Sequence, residues 1–357
     1  MPRLLSLDAL RGVAVILMME QHLGVWLPRR SGLTQGPFYM ALNGLGGLAA
    51  PTFITLAGVG TSLLVASRAG PSVDATLLRR GLALMGFGFV LNILTPSWFS
   101  AGSWFVLHMM GMAIASAPLW RRLATPVLLA LEAIVLALTV AVQQWLITPQ
   151  WLDNSRMRDL ELPGGPLRLA LAEGQFPVLP WLALFLAGMV VGRWLLAEQY
   201  VKVVALGCVC LLLGLALVAL DQAASHLPAL AFLHDPPWQR LVRVRTSFYP
   251  AGPGIILLLQ SGVLLLLAGA LRIERTRACT ARDWLVCLGR ASLTLLLVHV
   301  VLFREISRPL GAWQTFGGGV YLAIIAGWIL LSAVLARTWQ RRGYCFGAEW
   351  LLRRLGG

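Results

Sequence analysis

The chain alternates long apolar runs with short polar breaks. A helix needs about 20 apolar residues to cross a bilayer. Ten runs reach that scale: about 5–27, 45–67, 76–94, 104–120, 124–147, 177–197, 201–220, 252–271, 285–304 and 317–337. This pattern predicts an all-α, polytopic membrane bundle of about ten transmembrane helices. It consists of a transmembrane domain over 1–340 and a basic tail over 341–357. A hydrophobic share of 58%, a charged share of 12% and a mean hydropathy of +0.76 exclude an ordinary soluble globular chain. The first run is too long for a signal-peptide core and has no small-residue cleavage site, so it is expected to remain as a span.

Charge sets the expected orientation. Arg79-Arg80, Arg121-Arg122, Arg341-Arg342 and the group Arg272, Arg275, Arg277 and Arg282 all fall on one side of a ten-span count. The positive-inside rule makes that side cytoplasmic and places both termini there. Only Arg29-Arg30 runs against the bias. The net charge of +14 is therefore a topology signal and predicts no nucleic-acid partner. The expected setting is a bacterial inner membrane, crossed many times, with the lipid bilayer as the constant partner and a homodimer left open. None of the five cysteines falls in an outer loop, so no disulfide framework is expected. Cys208 and Cys210 are spaced i, i+2 on an apolar helix, which points their thiols apart, and no metal site is expected.

Polar residues inside the runs carry the candidate chemistry, because ionisable groups are costly in a bilayer and persist there mainly for function. The first run holds Asp8 and Arg11 and ends on Glu20-Gln21-His22. At about 100° per residue, Arg11 and His22 fall within roughly 20° of each other and about 16 Å apart along the axis. Asp8 shares that face, so one polar stripe joins the two leaflets. Asp8 and Arg11, spaced i, i+3, can pair. Arg11 then either forms a structural ion pair at the interface or presents a guanidinium to a phosphate-bearing cosubstrate. Glu20 points about 200° away from His22, toward another helix.

Depth assignment puts Asn92, His108 and His299 near the outer side with His22. Three of the five histidines could converge there, and imidazole is the side chain best suited to move a proton near neutral pH. The alternative is that each is a hydrogen-bonded or interfacial residue. Two outer loops, 148–176 and about 221–251, are long enough to cover a site. The second carries Trp238, Arg240, Arg243 and Arg245, which suits either the headgroup interface or an anionic or sugar ligand. Leu56-Ala57-Gly58 supplies small residues for helix packing. Phe176-Pro177-Val178-Leu179-Pro180-Trp181 interrupts regular helix where the sixth run begins, which a membrane tolerates only inside protein or beside a cavity. The stretch from Arg341 to Arg354 reads either as a short amphipathic segment with Trp350, Leu351 and Leu352 as its contacts or as a charged stop.

Arg3-Leu4-Leu5-Ser6-Leu7-Asp8-Ala9-Leu10-Arg11-Gly12 resembles the opening motif of the transmembrane acyltransferase superfamily. Ala50-Pro51-Thr52-Phe53, the Phe176–Trp181 segment with Gly188, Arg79-Arg80-Gly81-Leu82 and the late His299 are similar to its branch related to heparan-alpha-glucosaminide N-acetyltransferase. The resemblance implies acetyl-CoA or another acyl-CoA as cosubstrate from the cytoplasm, no permanently bound cofactor, and a small-molecule or glycan acceptor on the periplasmic side. His22, near the outer end of the first span, is similar to the histidine implicated in related sugar O-acyltransferases, and that likeness implies it as the catalytic histidine. In the heparan enzyme the matching position is asparagine and the histidine follows in the loop. Here the 28–44 loop holds none, so the chemistry rests on His22. The expected site is therefore catalytic His22, with His108 and Asn92 holding the acceptor or an oxyanion. Arg11 and Asp8 would serve the acyl-CoA, while Glu20, His299 and Trp181 would contact the acceptor. A multi-span transporter or flippase for a sugar- or lipid-linked substrate is the alternative.

Overall fold

The computed structural model describes residues 4–29, 36–68, 72–243, 248–276 and 280–356. Arg3, Arg30, Arg245, Arg277 and Cys279 lie outside them. Among the described residues the elements are helices, in the order α1 (Leu5–Trp26), α2 (Pro37–Gly46), α3 (Ala49–Ser67), α4 (Ser72–Leu94), α5 (Val106–Trp120), α6 (Thr125–Trp145), α7 (Gly165–Arg168), α8 (Val178–Leu196), α9 (Tyr200–Ala224), α10 (Trp238–Val242), α11 (Pro253–Thr276), α12 (Trp284–Arg290), α13 (Ser292–Val300), α14 (Gly318–Gln340) and α15 (Ala348–Gly356). Each of the ten apolar runs forms helix. Among the described residues, seven helices are long and apolar enough to cross a membrane, or eight if the bent pair α12–α13 is one span. The remaining two runs are α1, which carries Asp8, Arg11 and Glu20, and α5, which is only 15 residues long.

Two compact units are built from interleaved parts of the chain. The first comprises Met1–Phe53, Val90–Phe99 and Gly269–Gly357, and the second Ile54–Phe89 and Ser100–Ala268. In the first, α1 crosses α12 with almost no side chain between them. A Cβ on Gly12 would strike the Leu285 carbonyl oxygen, and one on Gly289 would strike the carbonyl of Asp8. In lipid, apolar burial gives helices no hydrophobic drive to associate, so close backbone packing of this kind must hold them. Glu274, on α11, accepts hydrogen bonds from the first amides of α1, Leu5 N at 2.8 Å and Ser6 N at 3.2 Å. A remote carboxylate thus satisfies donors that a helix start leaves without partners.

The expected continuous span over 285–304 is corrected. The helix breaks at Ala291, and its two halves are bent by 73°. Just before the break, the backbone of Asp8 is pressed against Gly289. The break exposes a new helix start, which Glu349 of α15 caps through Leu293 N at 2.6 Å, Thr294 N at 3.0 Å and Thr294 Oγ1 at 2.6 Å. The C-terminal basic segment is thereby tied into the first unit, with the Arg354 guanidinium 4.4 Å from the Trp350 ring.

In the second unit the core helix is α8, whose Trp181 and Phe185 are fully buried. Its start is irregular, with Leu179 at φ −97°, ψ 118° between Pro177 and Pro180. Against it, α3 packs by small residues: Cβ atoms on Gly58 or Gly188 would meet the carbonyls of Phe185 or Thr55, and Ser62 Oγ donates to Met189 O at 2.7 Å.

Candidate functional site

Two of the sequence-predicted histidines meet in the first unit. His22 lies on the last turns of α1, and His299 near the end of α13. Their ring nitrogens, His22 Nδ1 and His299 Nε2, are 2.8 Å apart, and His299 Nδ1 is 2.8 Å from the carbonyl oxygen of Leu295. A carbonyl can only accept, so His299 carries its proton on Nδ1. With both rings neutral, His299 Nε2 is then an acceptor and His22 Nδ1–H donates to it. The proton arrangement has one solution, and it leaves the lone pair of His22 on Nε2.

Aromatic rings confine the pair. Trp26 stacks on His22 at 5.0 Å, and the edge of Trp98 meets the same ring at 5.1 Å. The Trp313 ring stacks on Trp26 at 6.2 Å. Buried Arg304 sits among these indoles, its Cζ 5.5 Å from the Trp26 ring, 5.2 Å from Trp98 and 4.7 Å from Trp313. Cation–π attraction of this kind strengthens when water is excluded. The guanidinium also donates to Ser97 O at 3.0 Å, while Ser97 Oγ donates to Glu305 at 2.6 Å.

Local backbone explains how Arg304 reaches that position. Residues Val301–Ile306 form a π-helical turn, a geometry that shifts side-chain register and recurs at functional sites. Beyond it, Gln314 N donates to Trp26 O at 2.8 Å and Phe316 N to Leu27 O at 3.1 Å, which fixes Trp313 beside the end of α1. Sequence reasoning missed Arg304, Trp26, Trp98 and Trp313. The available signal was a charged pair, Arg304-Glu305, at the end of an apolar run.

At the opposite end of α1, Asp8 is 2% exposed and holds two arginines, Arg11 Nη1 at 3.1 Å and Arg290 Nε at 3.0 Å. The expected Asp8–Arg11 pair forms, but Arg290, brought in by α12, completes it. Arg11 keeps 30% of its side chain exposed. Glu20 is buried and faces the end of α2, where a Cβ on Gly46 would lie 2.9 Å from its Oε2. Asn92 is buried on the part of α4 that belongs to the first unit.

His108 and Trp181 belong to the second unit. The His108 ring is fully buried at the start of α5, where Nδ1 accepts the Phe105 amide proton at 3.3 Å. That engages its lone pair, so the neutral ring carries its proton on Nε2, which meets no partner among the described residues and faces Gly88 and Phe89. Trp181 packs on Phe176 at 4.6 Å, inside the proline-broken entrance to α8.

Among the described residues, no group of three or more His, Cys, Asp or Glu side chains is placed to hold a metal ion. What the first unit offers is a basic nitrogen with its partner ring fixed, beside a buried cation in an aromatic wall. The fixed ring with its open lone pair suits proton abstraction from a bound nucleophile, and the cation suits a developing negative charge.

Residues 3–235 match the family described as heparan-alpha-glucosaminide N-acetyltransferase, catalytic. Comparison with curated proteins gives no match.

Proposed function

The chain belongs to the heparan-alpha-glucosaminide N-acetyltransferase catalytic family, and from that premise we propose that it moves an acetyl group from cytoplasmic acetyl-CoA to an amine or hydroxyl of a sugar or glycan acceptor on the periplasmic side. The observation that carries this reading is the hydrogen-bonded chain Leu295 O, His299, His22, which leaves His22 Nε2 as the one ring nitrogen of the pair whose lone pair accepts no hydrogen bond within it.

In the proposed step, His22 Nε2 takes the proton from the acceptor as its oxygen or nitrogen attacks the thioester carbonyl. The carbon–sulfur bond then breaks, and the imidazolium returns its proton to the leaving thiolate. His299 is the positioning residue: it holds the His22 ring in the productive tautomer, as the third member of a catalytic triad does. The buried Arg304 cation, held among the indoles of Trp26 and Trp98, is proposed to offset the negative charge that develops on the attacked carbonyl oxygen. Asn92 is proposed to hold the acceptor. His108 has a narrower proposed part, because its open ring atom is a donor, which fits an oxygen to be held but not a proton to be accepted. At the far end of α1, Arg11 is proposed to meet the phosphates of acetyl-CoA, with Asp8 orienting it.

The test is transfer of labelled acetyl from acetyl-CoA to glucosamine by the purified protein in liposomes. His22→Ala is expected to lose about a thousandfold in rate, within the range a positioned base supplies. Acetyl-CoA is expected to raise the melting temperature of both proteins, because a ligand that binds only the folded state stabilises it. A wild-type rate in the variant overturns the base assignment. An unmoved melting temperature favours the transporter reading.

A further inference from the structure

Charge in the loop layer of the second unit is divided unevenly. The Glu173 carboxylate is fully buried and accepts from Arg156 Nη2 at 3.1 Å, Arg168 Nη2 at 2.7 Å and Thr148 Oγ1 at 2.9 Å. Among the described residues, Arg240 on α10 and Arg243 just after it meet only neutral oxygens. Arg240 donates to the Thr148 carbonyl at 2.6 Å and to Gln144 Oε1 at 3.1 Å, and Arg243 donates to Gln150 Oε1 at 3.3 Å. Glu173 acts on Arg240 only through space, being committed to its own two partners. Burial lowers the pKa of Arg240 from its ordinary value, a cost that a bound anion would offset.

Both guanidiniums line a small open cleft of about 40 Å³ whose other walls are Gln143, Gln150, Gln239, Pro250, Gly252 and Ile255. The amides of Gln150 and Gln239 bond to each other, and Gln143 is held on the Ala251 carbonyl at 2.9 Å, so the polar lining is fixed. Near the cleft in sequence, Trp145, Trp151 and Trp238 are 80%, 62% and 48% exposed. Exposed indoles at the end of an apolar helix mark the headgroup level of a bilayer.

We infer that this cleft binds the phosphate of an anionic phospholipid headgroup, clamped by Arg240 and Arg243, with the amides of Gln150 and Gln239 toward the headgroup hydroxyls. Basic pockets at headgroup depth recognise lipid phosphates in this way, and the planar guanidinium matches phosphate geometry. The site is independent of the acetyl-transfer reading and concerns a different unit from His22.

Native mass spectrometry of the detergent-purified protein tests it, with phosphatidylglycerol and phosphatidylcholine of equal chain length as probes. Phosphatidylglycerol is expected to be retained preferentially, and Arg243→Gln to reduce that preference about fivefold, roughly the contribution of one basic side chain near an anionic surface. Arg240→Gln with Arg243→Gln is expected to abolish it. Because Arg240 also holds the Thr148 carbonyl, the exposed Arg243→Gln variant with an unchanged melting temperature is the decisive one. Millimolar glycerol phosphate or glucuronate is expected not to displace the lipid. Equal retention of the two lipids, an undiminished preference in Arg243→Gln, or displacement by either soluble anion would overturn the inference.

Discussion

His22 in the first unit and His108 in the second are the same side chain near the end of an apolar helix, and their hydrogen bonds run in opposite senses. At His108 the backbone amide of Phe105 takes the basic nitrogen, and the open ring atom is a donor against Gly88. At His22 the neighbouring ring takes the N–H, and the open atom is the lone pair. Burial and depth alone do not distinguish a base from a helix start. In the proposed function, the direction of one hydrogen bond does.

Glutamine substitutions break this comparison most severely, because an amide can donate and accept but cannot take up a proton. His22→Gln is expected to lose about a thousandfold in kcat for acetyl transfer. His108→Gln, which keeps both a donor and an acceptor at the start of α5, is expected to lose less than about tenfold, a small part of what an acid–base group supplies. Equal losses in the two would erase the distinction. Next in size is His299→Phe, which keeps the ring but removes the acceptor for His22 Nδ1–H. A fall in kcat of up to about a hundredfold is expected, short of the loss from removing the base itself, with KM little changed. Recovery in His299→Gln would separate tautomer control from packing.

The seams sharpen the contrast at the level of stability. Gly12→Ala forces α1 off the Leu285 carbonyl and is expected to cost about 1–3 kcal/mol in reversible unfolding. It should also lower kcat, because α1 carries His22. Gly58→Ala, in the second unit, is expected to carry a similar unfolding cost with kcat per folded molecule unchanged. The smallest effect belongs to Glu349→Gln, which keeps the hydrogen-bond geometry at the start of α13 and loses the charge. About 0.5–1 kcal/mol is expected, read as a lowered melting temperature.

Much of this was legible in the sequence because the bilayer penalises charge so heavily. Asp8 and Arg11 inside an apolar run announced α1, and the same run ended on His22. Helix depth likewise put His299 near His22. The contact itself was not legible, since residues 277 positions apart are joined only by tertiary packing. The bend at Ala291 was hidden for a similar reason. Residues 285–304 read as one apolar run, and the groups that accompany the break, the Asp8 backbone and the Glu349 carboxylate, come from both ends of the chain. Arg304 looked like the flank of a span, because nothing in its neighbours announces a π-helical turn or the distant Trp26 and Trp98. The role of Arg290 beside Asp8 was concealed in the same way.

The central claim is that His22 acts because its Nε2 lone pair is the one left open. Solid-state ¹⁵N spectroscopy of histidine-labelled protein in lipid at neutral pH reads that atom directly, with His22→Ala assigning the resonance. The account predicts an unprotonated Nε2 and a protonated Nδ1 at His22. A protonated Nε2 at His22 would contradict it.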